Sequence, residues 1–120
     1  MNYFFDSYAI IEIIQGNPKY MQLGETSIVT NTLNLAEVFY GLLRTKGEDI
    51  ANSIINKMTF IFLDISSNIA IEASKFRYKH KKEKLSYADS IGYVAAKQNN
   101  LLFLTGDQAF AKFENVEFVK

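Results

Sequence analysis

The sequence contains no cysteine, one histidine and one proline in 120 residues. Without cysteine the chain can form no disulfide, no thiolate zinc site and no cysteine nucleophile. A single histidine excludes mechanisms that need two imidazoles, such as the paired acid–base cleavage of RNA. One proline and six glycines exclude a collagen-like or proline-rich disordered chain. If the protein is an enzyme, its reactive groups are therefore expected to be carboxylates and hydroxyls.

The chain also lacks an excess of charge of either sign and lacks a long apolar run. It has 13 basic and 13 acidic residues, so its formal net charge is zero and gives no overall attraction to nucleic acid. The apolar start, residues 1–14, is interrupted by Asp6 and Glu12 and has no cationic beginning. This pattern predicts neither a signal peptide nor a membrane span. We therefore expect a cytoplasmic protein.

Hydrophobic residues make up 48% of the chain and occur in short runs separated by helical patterns. We predict strands at residues 3–5, 28–30, 60–63, 101–104 and 116–119. Helices are predicted between them, the clearest over residues 35–43 and 88–95. Because the strand runs are continuously apolar, they indicate a parallel sheet covered by helices on both faces. The prediction is one doubly wound α/β domain over residues 1–120.

Four acidic residues fall where a parallel α/β sheet places its ligands, beyond the carboxyl ends of the strands. Asp6 follows the first strand directly, and Asp107 follows the fourth strand by two residues. Glu37 is placed in the first turn of the helix after the second strand, and Asp89 in the first turn of the helix before the fourth. Up to four carboxylates could then share one crevice, where their repulsion would raise their pKa values. A hard cation, Mg²⁺ or Mn²⁺, would remove that repulsion.

Each of three acids also has a purely structural interpretation. Asn34 to Glu37 and Ser86 to Asp89 have the spacing of a capping box, and Asp107 can cap the short helix that follows it. Acids near a helix N-terminus are also favoured by the helix dipole. Taken singly, each is more often a cap than a catalyst, so the prediction of a site depends on the convergence of the group.

Four segments resemble the signature blocks of the PIN domain, in the same order and over nearly the whole chain. They are residues 3–14 (YFFDSYAIIEII), 34–44 (NLAEVFYGLLR), 85–96 (LSYADSIGYVAA) and 101–110 (LLFLTGDQAF). Within that family the chain is most similar to the small single-domain toxin ribonucleases of VapC type. The resemblance implies a three-layer α/β/α sandwich with a five-stranded parallel sheet in the order 3-2-1-4-5.

The resemblance also implies a metal-dependent ribonuclease. Asp6, Glu37 and Asp89 would bind Mg²⁺ or Mn²⁺, with Asp107 as a fourth acid of variable role and Thr105 orienting the acids. The metal would position and activate water, so that cleavage of a phosphodiester bond in RNA needs no side-chain nucleophile. This agrees with the lack of cysteine and the single histidine.

One position departs from the family pattern. Ser7 fits the small hydroxyl residue that follows the first aspartate, but Tyr8 stands where the family often has asparagine or serine. This puts full activity, although not the fold, in question.

The resemblance further implies two protein partners, a second copy of the chain in a homodimer and a small antitoxin protein. Tyr20, Phe39 and Tyr40 could supply an apolar interface, although residues on helix stripes more often belong to the core.

Positive charge is concentrated in two places, which gives RNA a local cationic surface despite the zero net charge. His80 lies within the larger group and is expected to be exposed rather than catalytic. An equally acceptable interpretation of that group is a solvated helix end. The residues predicted to bind RNA are Arg44, Lys46, Arg77, Lys79, Lys81, Lys82 and Lys84.

Two alternatives stay open. One is a phospho-receiver signalling domain with Asp64 as phosphoryl acceptor, Thr105 as switch hydroxyl and Lys120 as cation. It lacks the second acid that such a domain needs beside Asp6, and we otherwise expect Asp64 to lie at the sheet edge outside the site. The other is a catalytically silent PIN-fold interaction module.

Overall fold

The computed structural model describes residues 2–24 and 27–120. Within them lie five short strands, β1 (Tyr3–Phe5), β2 (Ile28–Thr30), β3 (Phe60–Phe62), β4 (Leu102–Thr105) and β5 (Val116–Phe118). The α-helices are α1 (Ser7–Ile14), α2 (Pro18–Met21), α3 (Thr32–Lys46), α4 (Glu48–Asn56), α5 (Ser67–Lys79) and α6 (Tyr87–Gln98). Single 3₁₀ turns cover Gln22–Gly24, Lys81–Glu83 and Gln108–Phe110. All five predicted strands are therefore present, and in the described segments no helix is long and apolar enough to cross a membrane.

The paired strands are all parallel and form two separate ladders, β1-β4-β5 and β2-β3. The continuous five-stranded sheet in the order 3-2-1-4-5 is therefore not formed as one hydrogen-bonded ladder. β1 and β2 are nevertheless neighbours. Between them the Thr30 hydroxyl donates to the Phe5 carbonyl at 2.7 Å. A side chain thus joins the two ladders where main-chain pairing was expected.

Helices cover both faces of the strands, as the continuously apolar runs predicted. Successive residues of a strand point to opposite faces, so Phe4 and Phe5 enter different cores. Phe4 lies in one apolar cluster with residues of α5 and α6, and Phe5 in a second with residues of α1, α3 and α4. The result is three layers, with the strands in the middle.

The pairing of β1 with β4 positions the carboxyl ends of both strands. Phe5 is in register with Leu104, and the Asp6 amide donates to the Leu104 carbonyl at 3.3 Å. Asp6 and Thr105 therefore leave neighbouring strands at the same edge, with Asp107 two residues farther on.

Candidate active site

Asp6 follows β1 directly and is the N-cap of α1. Its Oδ1 accepts a hydrogen bond from the Ala9 amide at 2.8 Å, and only 4% of the residue is exposed. Burial raises the pKa of Asp6 to about 7, which hydrogen bonds from Thr105 and Ala9 oppose and the charges of Asp89 and Asp107 reinforce. No lysine or arginine of the described residues is among the groups that shift this pKa. The site thus holds a buried acid whose pKa two further acids raise.

Asp89 and Asp107 each cap a helical turn with one carboxylate oxygen. The capping box predicted for Asp89 is present: its Oδ2 accepts from the Ser86 amide at 3.0 Å, and its own amide donates to Ser86 Oγ at 3.0 Å. Asp107 Oδ1 accepts from the Ala109 amide at 3.0 Å. The second oxygen of each aspartate accepts no hydrogen bond from a described residue. A cap and a ligand are therefore compatible roles for both.

Thr105 links two of these acids. Its buried Oγ1 accepts from the Asp107 amide at 3.0 Å, which leaves the hydroxyl proton for the hydrogen bond to Asp6 that lowers the pKa of Asp6. Thr105 therefore supports the turn that carries Asp107 and acts on the carboxyl of Asp6.

The predicted placement of Glu37 in the first turn of its helix is wrong, and the alternative interpretation of Asn34 to Glu37 as a capping box is wrong as well. α3 begins earlier, at Thr32, because the Asn31 side chain caps it and accepts from the Asn34 amide at 3.0 Å. Glu37 therefore lies in the second turn, outside the reach of the cap, and its carboxylate has no role in starting the helix.

Glu37 is connected to the other acids through Ser7, the residue after Asp6. Ser7 Oγ lies 2.6 Å from Glu37 Oε1 and 2.9 Å from Asn34 Oδ1. The buried Asn34 amide group in turn donates to Asn31 Oδ1 at 3.0 Å. Glu37 itself is exposed, so the structure brings it to the same edge but keeps it at the rim.

The donors at this edge fit a hard divalent cation. They are carboxylate and hydroxyl oxygens, which Mg²⁺ and Mn²⁺ prefer, and a cation would favour the ionised form of the buried Asp6. Across residues 2–24 and 27–120, however, no three acidic or histidine side chains come close enough to form a closed metal cluster. The structure presents the donors without the closed arrangement.

The seven cations predicted to bind RNA lie at or near the surface, and none forms an ion pair with an acid of the described residues. Six are exposed and Arg77 is half-buried. Arg77 and Lys79 end α5, Lys81 and Lys82 lie in the following 3₁₀ turn, and Lys84 lies between that turn and α6. Arg44 and Lys46 end α3; Arg44 is two turns beyond Glu37, about 10 Å along the helix.

Four other residues named from the sequence differ from one another in outcome. His80 is half-buried rather than exposed, because its ring lies 4.7 Å from the rings of both Phe76 and Phe113. Tyr20 is fully buried and offers no interface, whereas Tyr40 is 66% exposed. Phe39 packs against the core beside α1.

Sequence reasoning missed two pairs of residues. Asn31 was not singled out, although it is the N-cap of α3. Asn34, three residues later, was instead considered as the cap, because an asparagine at either position could begin the helix. Tyr78 and Tyr87 were also missed, although aromatic residues on either side of a basic run are a signal of nucleic-acid binding.

Comparison with known proteins places the chain structurally. A family model described as PIN domain matches residues 3–116, and no curated protein sequence matches the chain significantly. A toxin–antitoxin complex from Klebsiella pneumoniae is 21% identical with a TM-score of 0.72, and the match covers 98% of this chain and 96% of that one. VapBC2 from Rickettsia felis, bound to a DNA fragment from its promoter, is 18% identical with a TM-score of 0.78, over 99% and 98%. VapC20 from Mycobacterium tuberculosis, a toxin cleaving the sarcin–ricin loop, is 15% identical with a TM-score of 0.74, over 97% and 99%. At these identities the shared property is the fold.

Proposed function

Because the chain belongs to the PIN domain family, we propose that it is a metal-dependent ribonuclease and the toxin of a toxin–antitoxin pair. The observation that carries the proposal is the buried Asp6 carboxylate, with Asp89 and Asp107 in electrostatic reach and no basic group of the described residues shifting its pKa. Burial of a carboxylate beside other acids destabilises the folded protein when the carboxylate is ionised, and a bound cation would supply the missing positive charge. Family membership removes the receiver-domain alternative, and Asp64 lies exposed beyond β3, which pairs only with β2.

In this proposal Asp6, Glu37, Asp89 and Asp107 hold Mg²⁺ or Mn²⁺. When bound, the metal would activate water and neutralise charge on the scissile phosphate. Thr105 keeps Asp6 and Asp107 in position, and Ser7 holds Glu37 at the rim. The unpaired cations beside the site would bind the flanking phosphates of RNA.

We also propose that the protein forms a homodimer and binds a small antitoxin protein. One structural neighbour is described as a toxin–antitoxin complex and another as VapBC2 bound to promoter DNA. The outer faces of α3 and α4 carry exposed apolar side chains that a partner could cover, namely Leu33, Tyr40, Leu43 and Ile50. A monomer mass by light scattering over a wide concentration range would contradict the homodimer.

One observation favours a second candidate, the catalytically silent PIN-fold module. Tyr8 offers no small polar group to the site; its ring packs against Tyr20 at a centroid distance of 6.3 Å and borders Gly106. A Cβ at Gly106 would overlap both the Tyr8 ring and the Val119 carbonyl. The turn before Asp107 is thus built around the tyrosine, with no hydrogen bond from Tyr8 to the acids among the described residues.

The test is RNA cleavage by the purified chain with added Mg²⁺ or Mn²⁺, and again with chelator. D6N and D89N should each lower the rate by more than about 100-fold, since even residues that only support metal ligands contribute about 10- to 100-fold. The matched control is D64N, an exposed aspartate that also follows a strand, which should cleave as the parent does. Thermal unfolding shows whether each variant is folded.

Two outcomes count against the proposal. Parental activity in folded D6N and D89N would mean that the acids are not the site. Absence of metal-dependent cleavage by the parent protein would favour the silent module.

A further inference from the structure

A cavity of about 390 Å³ opens between the end of α5, the 3₁₀ turn Lys81–Glu83 and the start of α6. Three cations and two tyrosines line it, and we call it the cationic groove. Its defining residues are Arg77, Tyr78, Lys81, Lys84 and Tyr87.

Arg77 is held in the groove by two contacts. Its Nε donates to the Leu85 carbonyl at 2.8 Å, and its Cζ lies 4.2 Å from the centroid of the Tyr87 ring. Its two terminal nitrogens donate to no described residue, and no described acid pairs with it. Arg77 therefore presents a preorganised pair of donors, the arrangement that suits a phosphate.

The two tyrosines combine exposure with a nearby cation. Tyr87 is 59% exposed although Arg77 lies over its ring, and Tyr78 is 75% exposed with Lys81 Nζ 5.3 Å from its ring centroid. Large exposed aromatic rings beside unpaired cations are the features with which proteins bind single-stranded nucleic acid, since bases stack on the rings while phosphates meet the charges. An acidic peptide would use the cations but would leave the ring faces without a role.

The groove adjoins the turn of α6 that carries Asp89. Tyr87 and Asp89 lie in the same first turn of α6, and Leu85 and Ser86 connect that turn to the groove wall. A strand lying in the groove would therefore continue along the turn that carries Asp89.

We propose that the cationic groove binds a nucleotide of single-stranded RNA next to the bond that is cut. A base stacks on the exposed tyrosine surface, and Arg77, Lys81 and Lys84 contact the phosphates. The groove would thus determine which bond of the RNA reaches the acids. This inference rests on the proposed ribonuclease function.

The experiment measures binding separately from cleavage. Fluorescein-labelled single-stranded RNA is titrated in chelator, and anisotropy gives the affinity at several salt concentrations. Y87L should weaken binding by about 5- to 150-fold, the range measured for loss of one stacked base, and Y87F should retain more of the affinity than Y87L. The double variant K81Q/K84Q should reduce the slope of log affinity against log salt by about 1.4. The control K57Q changes an exposed lysine at the end of α4 and should match the parent in both measurements.

Parental affinity in Y87L together with a parental salt slope in K81Q/K84Q would overturn the proposal. Loss of binding to a polyglutamate peptide in these same variants, with RNA binding unchanged, would assign the groove to a protein partner instead. Failure of the ribonuclease proposal is a different result, since it requires a parent protein that binds RNA in chelator but does not cleave it with Mg²⁺ or Mn²⁺.

Discussion

Asp6 is the residue at which the demands of folding and of the proposed chemistry meet. As an N-cap it accepts from Ala9, which favours the ionised form, and Thr105 adds a second favourable hydrogen bond. Burial nevertheless outweighs both, so the pKa of the carboxyl rises to about 7. Without metal, Asp6 is therefore close to half-protonated at neutral pH, and ionising it costs stability of the fold.

The first prediction is that the stability of the metal-free protein falls as pH rises between about 4 and 7. The pKa of Asp6 is about 7 in the folded protein, and the unfolded chain is expected to have the ordinary value of 3.8. The folded state therefore binds more protons than the unfolded state in this window, and the free energy of unfolding declines as the pH rises. A pKa difference of about three units corresponds to at most about 4 kcal/mol in the free energy of unfolding. D6N carries no such charge. In urea unfolding with chelator, we expect the stability difference between D6N and the parent to shift in favour of D6N by about 2–4 kcal/mol from pH 4.5 to pH 8.

D64N is the control for this prediction, because Asp64 is exposed and should show no such shift. Addition of Mg²⁺ at pH 8 should stabilise the parent more than D6N, because a ligand stabilises the state that binds it. An equal difference between D6N and the parent at both pH values would mean that Asp6 ionises with an ordinary pKa.

At the scale of the elements, apolar patterns predicted the strands and most helices, whereas competition between capping side chains determined where α3 begins. Asn31 and Asn34 are both good helix caps, and only the path of the chain after β2 selects Asn31. Pro18 begins α2, because a proline at the first helical position loses no hydrogen bond. Asp6 and Asp107 could be placed from topology alone. The link from Ser7 to Glu37 could not, because it depends on the rotamers of two distant residues.

α6 carries Asp89 and packs on the strands through Gly92. A Cβ at this position would lie 3.0 Å from Phe4 Cε1 and 3.2 Å from Phe103 Cε1. Both rings are fully buried and stacked on each other, so neither can move away freely. We predict that G92A destabilises the protein by about 1–3 kcal/mol through overpacking, measured by denaturant unfolding.

Gly41 provides the matched control, since it lies within α3 and a Cβ there would meet nothing within 4 Å. G41A should stabilise the protein by about 0.5–1 kcal/mol, the helix propensity difference between the two residues. An equal effect of both substitutions would show that propensity, and not the close approach of α6 to the strands, determines the cost at Gly92.

At the scale of the whole molecule, a zero net charge conceals a separation of charge. Acids gather where β1 and β4 end, and cations free of ion pairs with described acids surround the groove at the start of α6. The sequence predicted both groups of charges, and the fold adds the groove in which the cations of residues 77–84 meet the start of α6. In the proposed function, such a separation would let a neutral protein attract RNA locally, and that attraction would be sensitive to salt.

The same molecule is built from two ladders, and the last prediction concerns what joins them. Thr30 is fully buried, and its hydroxyl bond to the Phe5 carbonyl links β2 to β1. T30V keeps the shape but removes this donor, so we expect a loss of about 1–3 kcal/mol in the free energy of unfolding. Amides of β2 and β3 should also exchange faster than those of β1, β4 and β5, since the smaller ladder loses its attachment.

T45V removes a comparable hydroxyl bond, to the Gly41 carbonyl at 2.8 Å on the exposed side of α3, and should cost less than about 0.5 kcal/mol. If T30V costs no more than T45V and exchange stays uniform, apolar packing alone holds the ladders together.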